Sequence, residues 1–289
     1  MKTSIVIPNW KGRRLLEKNL PAVLATQPDE VIVVDDASPD DSNQFLEKNY
    51  PQVKLVKHRK NQGFAAACNS GVKAAQGEIV ALLNLDVIPE KDALEKILPN
   101  FKDEKVFAVS FHEPQWSWAK ILWQNGLIEH QPGQKTKKTH LSAWASGGSS
   151  AFRKSIWQKL GGFDSLYHPF YWEDIDLSYR AWKRGHRVLW EPRAVVQHQH
   201  EAIIGKHYSK KEISLISERN RLLFIWKNIG YPKMILEHQF YLARKLLTSP
   251  GYWKPFLAAL AYLPRVLPRR FKECREKKLN DGEVFKQFN

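Results

Sequence analysis

The chain has 289 residues, 43% hydrophobic and 26% charged, proportions of a globular fold rather than of a disordered tail or a bundle of membrane spans. Cys68 and Cys274 lie too far apart for a metal-binding spacing and predict a reduced, cytoplasmic protein without a disulfide framework. The net charge of +15 is uneven: residues 201–289 hold 18 Lys+Arg against 8 Asp+Glu, or +10, so an anionic partner is expected there.

In chain order, Ile5–Ile7 reads as a first strand. Leu15, Leu16, Leu20, Val23 and Leu24 recur at helical spacing between Gly12 and about Ala25. Val31–Val34 is a continuous apolar run of the kind buried on both faces of a parallel sheet. A short helix at Ser42–Lys48, a strand at Val53–Val56, an Ala-rich helix at Ala65–Ala75 and a strand at Ile79–Leu83 follow. A helix near Pro89–Phe101 and a strand at Val106–Phe111 complete the alternation, which predicts a doubly wound α/β sheet. Residues 112–143, with Trp116, Trp118 and Trp123 among polar residues and basic Lys135–Lys138, show no periodicity and are expected to form an inserted loop or flap. The α/β pattern returns from Ala145 to about Val196, and helices are predicted at Arg219–Asn228 and Met234–Leu247.

The short apolar run at the N-terminus does not make a secretion signal, and Phe256–Leu263 is far shorter than the roughly 20 apolar residues a membrane span needs. With Tyr252, Trp253, Lys254, Arg265, Arg269 and Arg270 around it, Phe256–Leu263 suits either an interfacial segment on an anionic membrane or a packed surface helix.

Acids recur at predicted strand ends, where ligands bind in open α/β sheets. Asp35 and Asp36 follow the second strand, although Asp-Asp-x-Ser also caps a helix. Asn84 and Asp86 follow the fourth, where two residues of extended chain would turn both to one side and suit a hard divalent cation; a turn motif is the competing reading. Between them, Asn61-Gln62-Gly63-Phe64 opens a helix whose N-terminus offers amides to an anion. In Trp172-Glu173-Asp174-Ile175-Asp176 the helical positions 174 and 176 lie about 200° apart, so both cannot face one pocket. Asp174, in the first turn behind Phe170, Tyr171 and Trp172, has the reach and partial desolvation of a general base. His198 and His200 fall on one side of an extended segment and can complete a metal site.

The ordered set Ile7-Pro8-Asn9-Trp10, Val34–Ser38, Asn61–Ala65, Leu83–Asp86, Gly161–Asp164, Glu173–Asp176 and His198 resembles the family 2 glycosyltransferases. Within these it is similar to the rhamnosyltransferase-like branch that builds bacterial surface polysaccharides. The resemblance implies a GT-A fold, with a catalytic domain over 1–228 and a basic, aromatic helical extension over 229–289. It also implies an inverting displacement on a dTDP-, UDP- or GDP-linked sugar donor. Asp36 would bind the base or ribose, with Pro8, Asn9, Trp10, Asp35, Asn61, Gly63, Phe64, Asn69 and Asn84 around the nucleotide. Asp86 and His198 would hold Mg2+ or Mn2+, Asp174 would be the base, and Glu173, Arg153 and His200 are further candidates. The acceptor would be a saccharide or lipid-linked saccharide. A nucleotidyltransferase or a nucleic-acid-binding protein are the alternatives, but acids at strand ends repel a phosphate backbone, so no nucleic acid is expected.

Overall fold

The structure is a computed structural model that describes residues 1–199 and 208–288. The first half builds β1 (Thr3–Asn9), α1 (Arg13–Ala25), β2 (Glu30–Asp35), α2 (Ser42–Asn49), β3 (Lys54–Lys57), α3 (Phe64–Ala74), β4 (Ile79–Leu83) and β5 (Val87–Pro89). It continues through α4 (Ala93–Ile97), β6 (Val106–His112), β7 (Ala119–Gln124), β8 (Leu127–Pro132), β9 (His140–Leu141), β10 (Ser149–Arg153), α5 (Lys154–Leu160), α6 (Glu173–Lys183) and β11 (Arg187–His198). Helices α7 (Lys210–Asn228), α8 (Pro232–Thr248), α9 (Trp253–Leu260), α10 (Leu263–Glu276) and α11 (Asp281–Lys286) close the described chain.

Among the described residues the main sheet runs β3-β2-β1-β4-β10-β6-β11-β5, with β9 added beside β11. β3, β2, β1 and β4 are parallel, whereas β10 runs antiparallel to both β4 and β6. Alternation along the strands explains the two layers of helices. Ile5, Ile7, Val31 and Val33 pack with Leu16 and Leu20 of α1, while Val6, Ile32 and Val34 pack with Ala67, Cys68 and Val72 of α3. The edge strand β3 exposes Lys54 and Lys57, charges that discourage further strand pairing.

Three sequence expectations change. Pro89 lies in β5, paired with Val196, and the predicted helix shrinks to Ala93–Ile97 before a 3-10 turn containing Pro99. Residues 112–143 hold the β7–β8 hairpin, closed by Asn125 (φ 50°) and Gly126 (φ 79°) in the left-handed region. The helix expected at Arg219–Asn228 extends back to Lys210, where the helical pattern of the sequence begins, because Ser209 and Glu212 form a capping box ahead of its apolar residues.

The C-terminal helices brace the hairpin. His238 Nδ1 donates to the Gly126 carbonyl at 2.7 Å, and its Nε2 accepts from Trp226 Nε1. Trp123 Nε1 donates to Glu237, and a side chain at position 126 would meet the Glu237 carbonyl at 2.4 Å.

Candidate active site

The carboxyl ends of β1, β2, β4, β6 and β11 and the amino end of the reversed β10 share one sheet edge. Asn9 is level with Asp35, Leu83 with Ser149, Ser110 with Ser150, and His112 with Val195. That edge gathers most of the expected residues and redistributes their work.

Asp35 and Asp36 sit at the expected strand end, but their oxygens are committed to the protein. Asp35 accepts from Asn9 Nδ2, the Ser38 amide and Asn43 Nδ2. Asp36 accepts from the Gln62 and Gly63 amides and from His58 Nδ1 at 2.7 Å, a tautomer that leaves His58 Nε2 to accept from Ser70 Oγ. A carboxylate offers about four lone-pair positions, and two of the three donors on Asp36 come from the loop before α3. Asp36 thus fixes the Asn61–Phe64 loop beside the end of β2. Asn61 Nδ2 donates to the Asp36 carbonyl, and Gly63 adopts φ 85°, which favours glycine. Phe64 stacks on Phe163. Asn69 exchanges two hydrogen bonds with the Phe163 backbone and clasps that loop onto α3.

Asn84-Leu85-Asp86 is a turn, not extended chain: the Val87 amide returns to the Asn84 carbonyl, and Asn19 holds the Leu85 carbonyl. The Asn84 side chain lies against Gly148, where a Cβ would meet it at 2.2 Å. Asp86 is met by His198, whose Nε2 lies 3.1 Å from Asp86 Oδ1 and whose Nδ1 lies 3.2 Å from Glu113 Oε1. Ser149 Oγ donates to the same Glu113 oxygen. Burial alone would lower His198, but its hydrogen bonds to Asp86 and Glu113 prevail and raise it to about 9. Among the described residues no three His, Cys, Asp or Glu side chains form a complete metal cage. An adjacent carboxylate and imidazole do fit a divalent cation that draws its remaining ligands from a diphosphate. His200 lies outside the described residues.

Arg153 is the candidate that falls elsewhere. Because β10 runs backwards, its last residue pairs with Ile79 at the opposite sheet edge, where the guanidinium holds the Phe101, Asp103 and Val106 carbonyls.

Asp174 and Asp176 part as their angular spacing predicts. Asp176 is fully buried and bound by Tyr167, Arg180, Lys227 and Asn228, tying α6 to α7. Burial would raise its carboxyl, but the Arg180 and Lys227 cations hold it well below the usual carboxylate range. Asp174 is half-buried; its Oδ2 accepts from the Gly147 amide and its Oδ1 from the Ile175 amide. Burial raises it despite those amides. The neighbouring Glu173 is buried with no partner on Oε2, and burial and the Asp174 charge push it up to about 8. Two left-handed residues, Tyr171 (φ 71°) and Trp172 (φ 79°), aim this helix start. Asn220 of α7 holds them, donating to the Tyr167, Phe170 and Tyr171 carbonyls.

Beside these groups opens a cavity of about 410 Å³ lined by Trp116, Trp118, Trp144, Trp190, His130 and His198. The hairpin supplies one wall. Glu113 was missed in the sequence, although it follows a predicted strand just as Asp35 does. The Gly147-Gly148 pair was missed too: Gly147 holds Asp174, and the Gly148 carbonyl accepts from the Asn84 amide.

Residues 4–161 match the family model described as Glycosyl transferase family 2. The chain belongs to that family. It is 29% identical over 219 residues to the pre-mycofactocin glycosyltransferase of Mycobacterium tuberculosis, covering 72% of this chain and 45% of that protein. It is 30% identical over 190 residues to the poly-beta-1,6-N-acetyl-D-glucosamine synthase of Staphylococcus aureus, covering 62% and 45%. The chain thus spans less than half the length of these curated relatives. Among solved structures, GalNAc-T7 with UDP, GalNAc and Mn2+ superposes with a TM-score of 0.66 at 17% identity, covering 81% of this chain and 49% of that one. The mannosyltransferase of Pyrobaculum calidifontis in complex with GDP-Man and Mn2+ gives 0.57 at 18% identity, covering 99% and 85%. S. aureus TarS 1–349 with UDP-GlcNAc gives 0.59 at 17% identity, covering 100% and 82%. The family 2 chain shares their GT-A fold, a mixed sheet with a helical C-terminal part.

Proposed function

We propose that the chain is an inverting glycosyltransferase that moves a sugar from a nucleoside-diphosphate donor to a hydroxyl of a saccharide or lipid-linked saccharide, in cytoplasmic synthesis of a surface polysaccharide. One observation carries the reading: Asp174 and the Asp86–Glu113–His198 cluster meet at one sheet edge beside a tryptophan-lined cavity. Family membership and the donor complexes of the structural neighbours support it.

The loops Pro8–Trp10 and Asn61–Phe64 would flank the nucleotide, which is UDP-, GDP- or dTDP-linked. Asp86 and His198 would hold Mg2+ or Mn2+, and Mn2+ in two neighbours supports a divalent ion. That ion would neutralise charge gathering on the departing diphosphate. The two amides fix Asp174 with a lone pair to spare, and burial raises its affinity for a proton. As an acceptor oxygen bonds to the anomeric carbon and the bond to the diphosphate breaks, the acceptor proton passes to Asp174. Attack opposite the leaving group inverts the anomeric centre. Tryptophan faces in the cavity suit the apolar faces of sugar rings. Residues 1–228 would form the catalytic domain and 229–289 an extension that braces its hairpin.

Asp174→Asn tests this. With UDP-GlcNAc, GDP-mannose and a dTDP-sugar screened for donor hydrolysis in Mn2+, turnover of the accepted donor is expected to fall about 10²–10⁴-fold while nucleotide affinity holds. Near-normal turnover removes Asp174 as the base.

A further inference from the structure

Helices α8, α9 and α10 leave apolar stripes uncovered. On α8, Leu236, Phe240 and Leu247 are exposed and lie within about 40° of one another around the helix. On α9, Trp253, Leu257 and Leu260 repeat the pattern, and on α10 Leu267 and Phe271 stand one turn apart. The opposite faces of α9 and α10, with Pro255, Ala259 and Val266, are buried where these helices pack on α7. The sequence-based interfacial segment is therefore split: Phe256 and Tyr262 pack partly against the core, and the outward face is made by other residues.

Charge on these three helices is sorted by side. Their acids turn onto the protein: Glu237 accepts from Trp123, while Glu273 and Glu276 pair with Arg184. Arg269 pairs with Asp164, and Arg270 caps the Trp226 and Ile229 carbonyls. Lys233, Arg244, Lys254, Arg265 and Lys272 are exposed. Each helix thus presents an apolar and cationic outer face, and no carboxylate of α8–α10 opposes it. Two copies meeting through it would bring like charges together, so self-association does not suit it. No helix among the described residues is long and apolar enough to cross a membrane.

We propose that this face docks on an anionic lipid bilayer. Its leucines and aromatics enter the boundary between headgroups and acyl chains, and its lysines and arginines meet the lipid phosphates. Since α8 clamps the hairpin turn at Gly126, docking fixes the hairpin wall of the tryptophan cavity relative to the membrane. That last consequence rests on the transferase reading. The docking itself does not, so vesicle binding and the Asp174→Asn assay can fail separately.

The experiment is co-sedimentation of the full chain with phosphatidylcholine vesicles containing about one-third phosphatidylglycerol. Binding is expected on these vesicles, at least about tenfold weaker on pure phosphatidylcholine, and about tenfold weaker again when salt rises to about 0.5 M. The double variant Phe240→Glu/Leu247→Glu touches only exposed positions and is expected to lose at least about tenfold in partitioning while keeping nucleotide affinity. No binding to anionic vesicles, or unchanged binding by the double variant, overturns the proposal. So does a wild-type oligomer that the variant dissolves, since the face would then be covered by protein.

Discussion

Replacing Asn220 by Ala probes how α7 controls Asp174, the proposed base. Asn220 Nδ2 lies 2.8, 2.9 and 3.0 Å from the Tyr167, Phe170 and Tyr171 carbonyls, and its Oδ1 accepts from Arg219. Two N–H groups make at most two full bonds at once. Losing them and stranding buried carbonyls costs about 2–4 kcal/mol. In a domain of this size that lowers Tm by about 5–15 °C. Activity should suffer more than stability. Tyr171 and Trp172 each cost about 1–3 kcal/mol in the left-handed region, and Asn220 is what keeps them there. Once released, they relax and shift the start of α6, and an ångström at Asp174 is worth about 10² in rate. The assay is donor hydrolysis well below the variant's Tm, alongside nucleotide affinity by calorimetry. A variant that loses stability as stated but turns over within twofold of wild type refutes the link between this clasp and the base.

Two further outcomes test the acidic groups. Glu173 titrates at about 8 when folded but near 4.3 when unfolded. The folded chain therefore keeps a proton that the unfolded chain sheds across that window, and wild-type stability declines as pH rises through it. Glu173→Gln cannot titrate, so its Tm should gain on wild type by several degrees between about pH 5 and 8; a pH-independent difference would falsify the buried-proton reading. His198→Gln should weaken Mn2+ binding in the presence of UDP at least about tenfold by calorimetry, and unchanged affinity would move the cation away from Asp86 and His198.

Much of the scaffold was legible because local pattern and burial agree. The all-apolar Val31–Val34 run could only be a strand covered on both faces, and it is buried throughout. The angular separation of Asp174 and Asp176 followed from helical geometry, and the two side chains do part. Strand direction was less legible. Nothing in Ser149–Arg153 announces a reversed strand, and that reversal sends Arg153 to the far edge while bringing Gly147 and Gly148 to the near one. The β7–β8 hairpin carried a readable signal in Asn125-Gly126, masked by tryptophans spread among polar residues. The commitment of Asp36 to Gln62, Gly63 and His58 depends on contacts 22–27 residues away in sequence, which spacing alone does not reveal.

The reversed β10 has a further effect. Two consecutive glycines span the gap between Asp174 and the turn that carries Asp86: one amide reaches Asp174, and the next carbonyl accepts from the Asn84 amide. The separation of Asp174 from that turn is thereby set by two adjacent residues, a ruler too short to stretch. On the proposed reading, variation in acceptor length or shape falls to the hairpin wall, while the gauge between base and cation stays fixed.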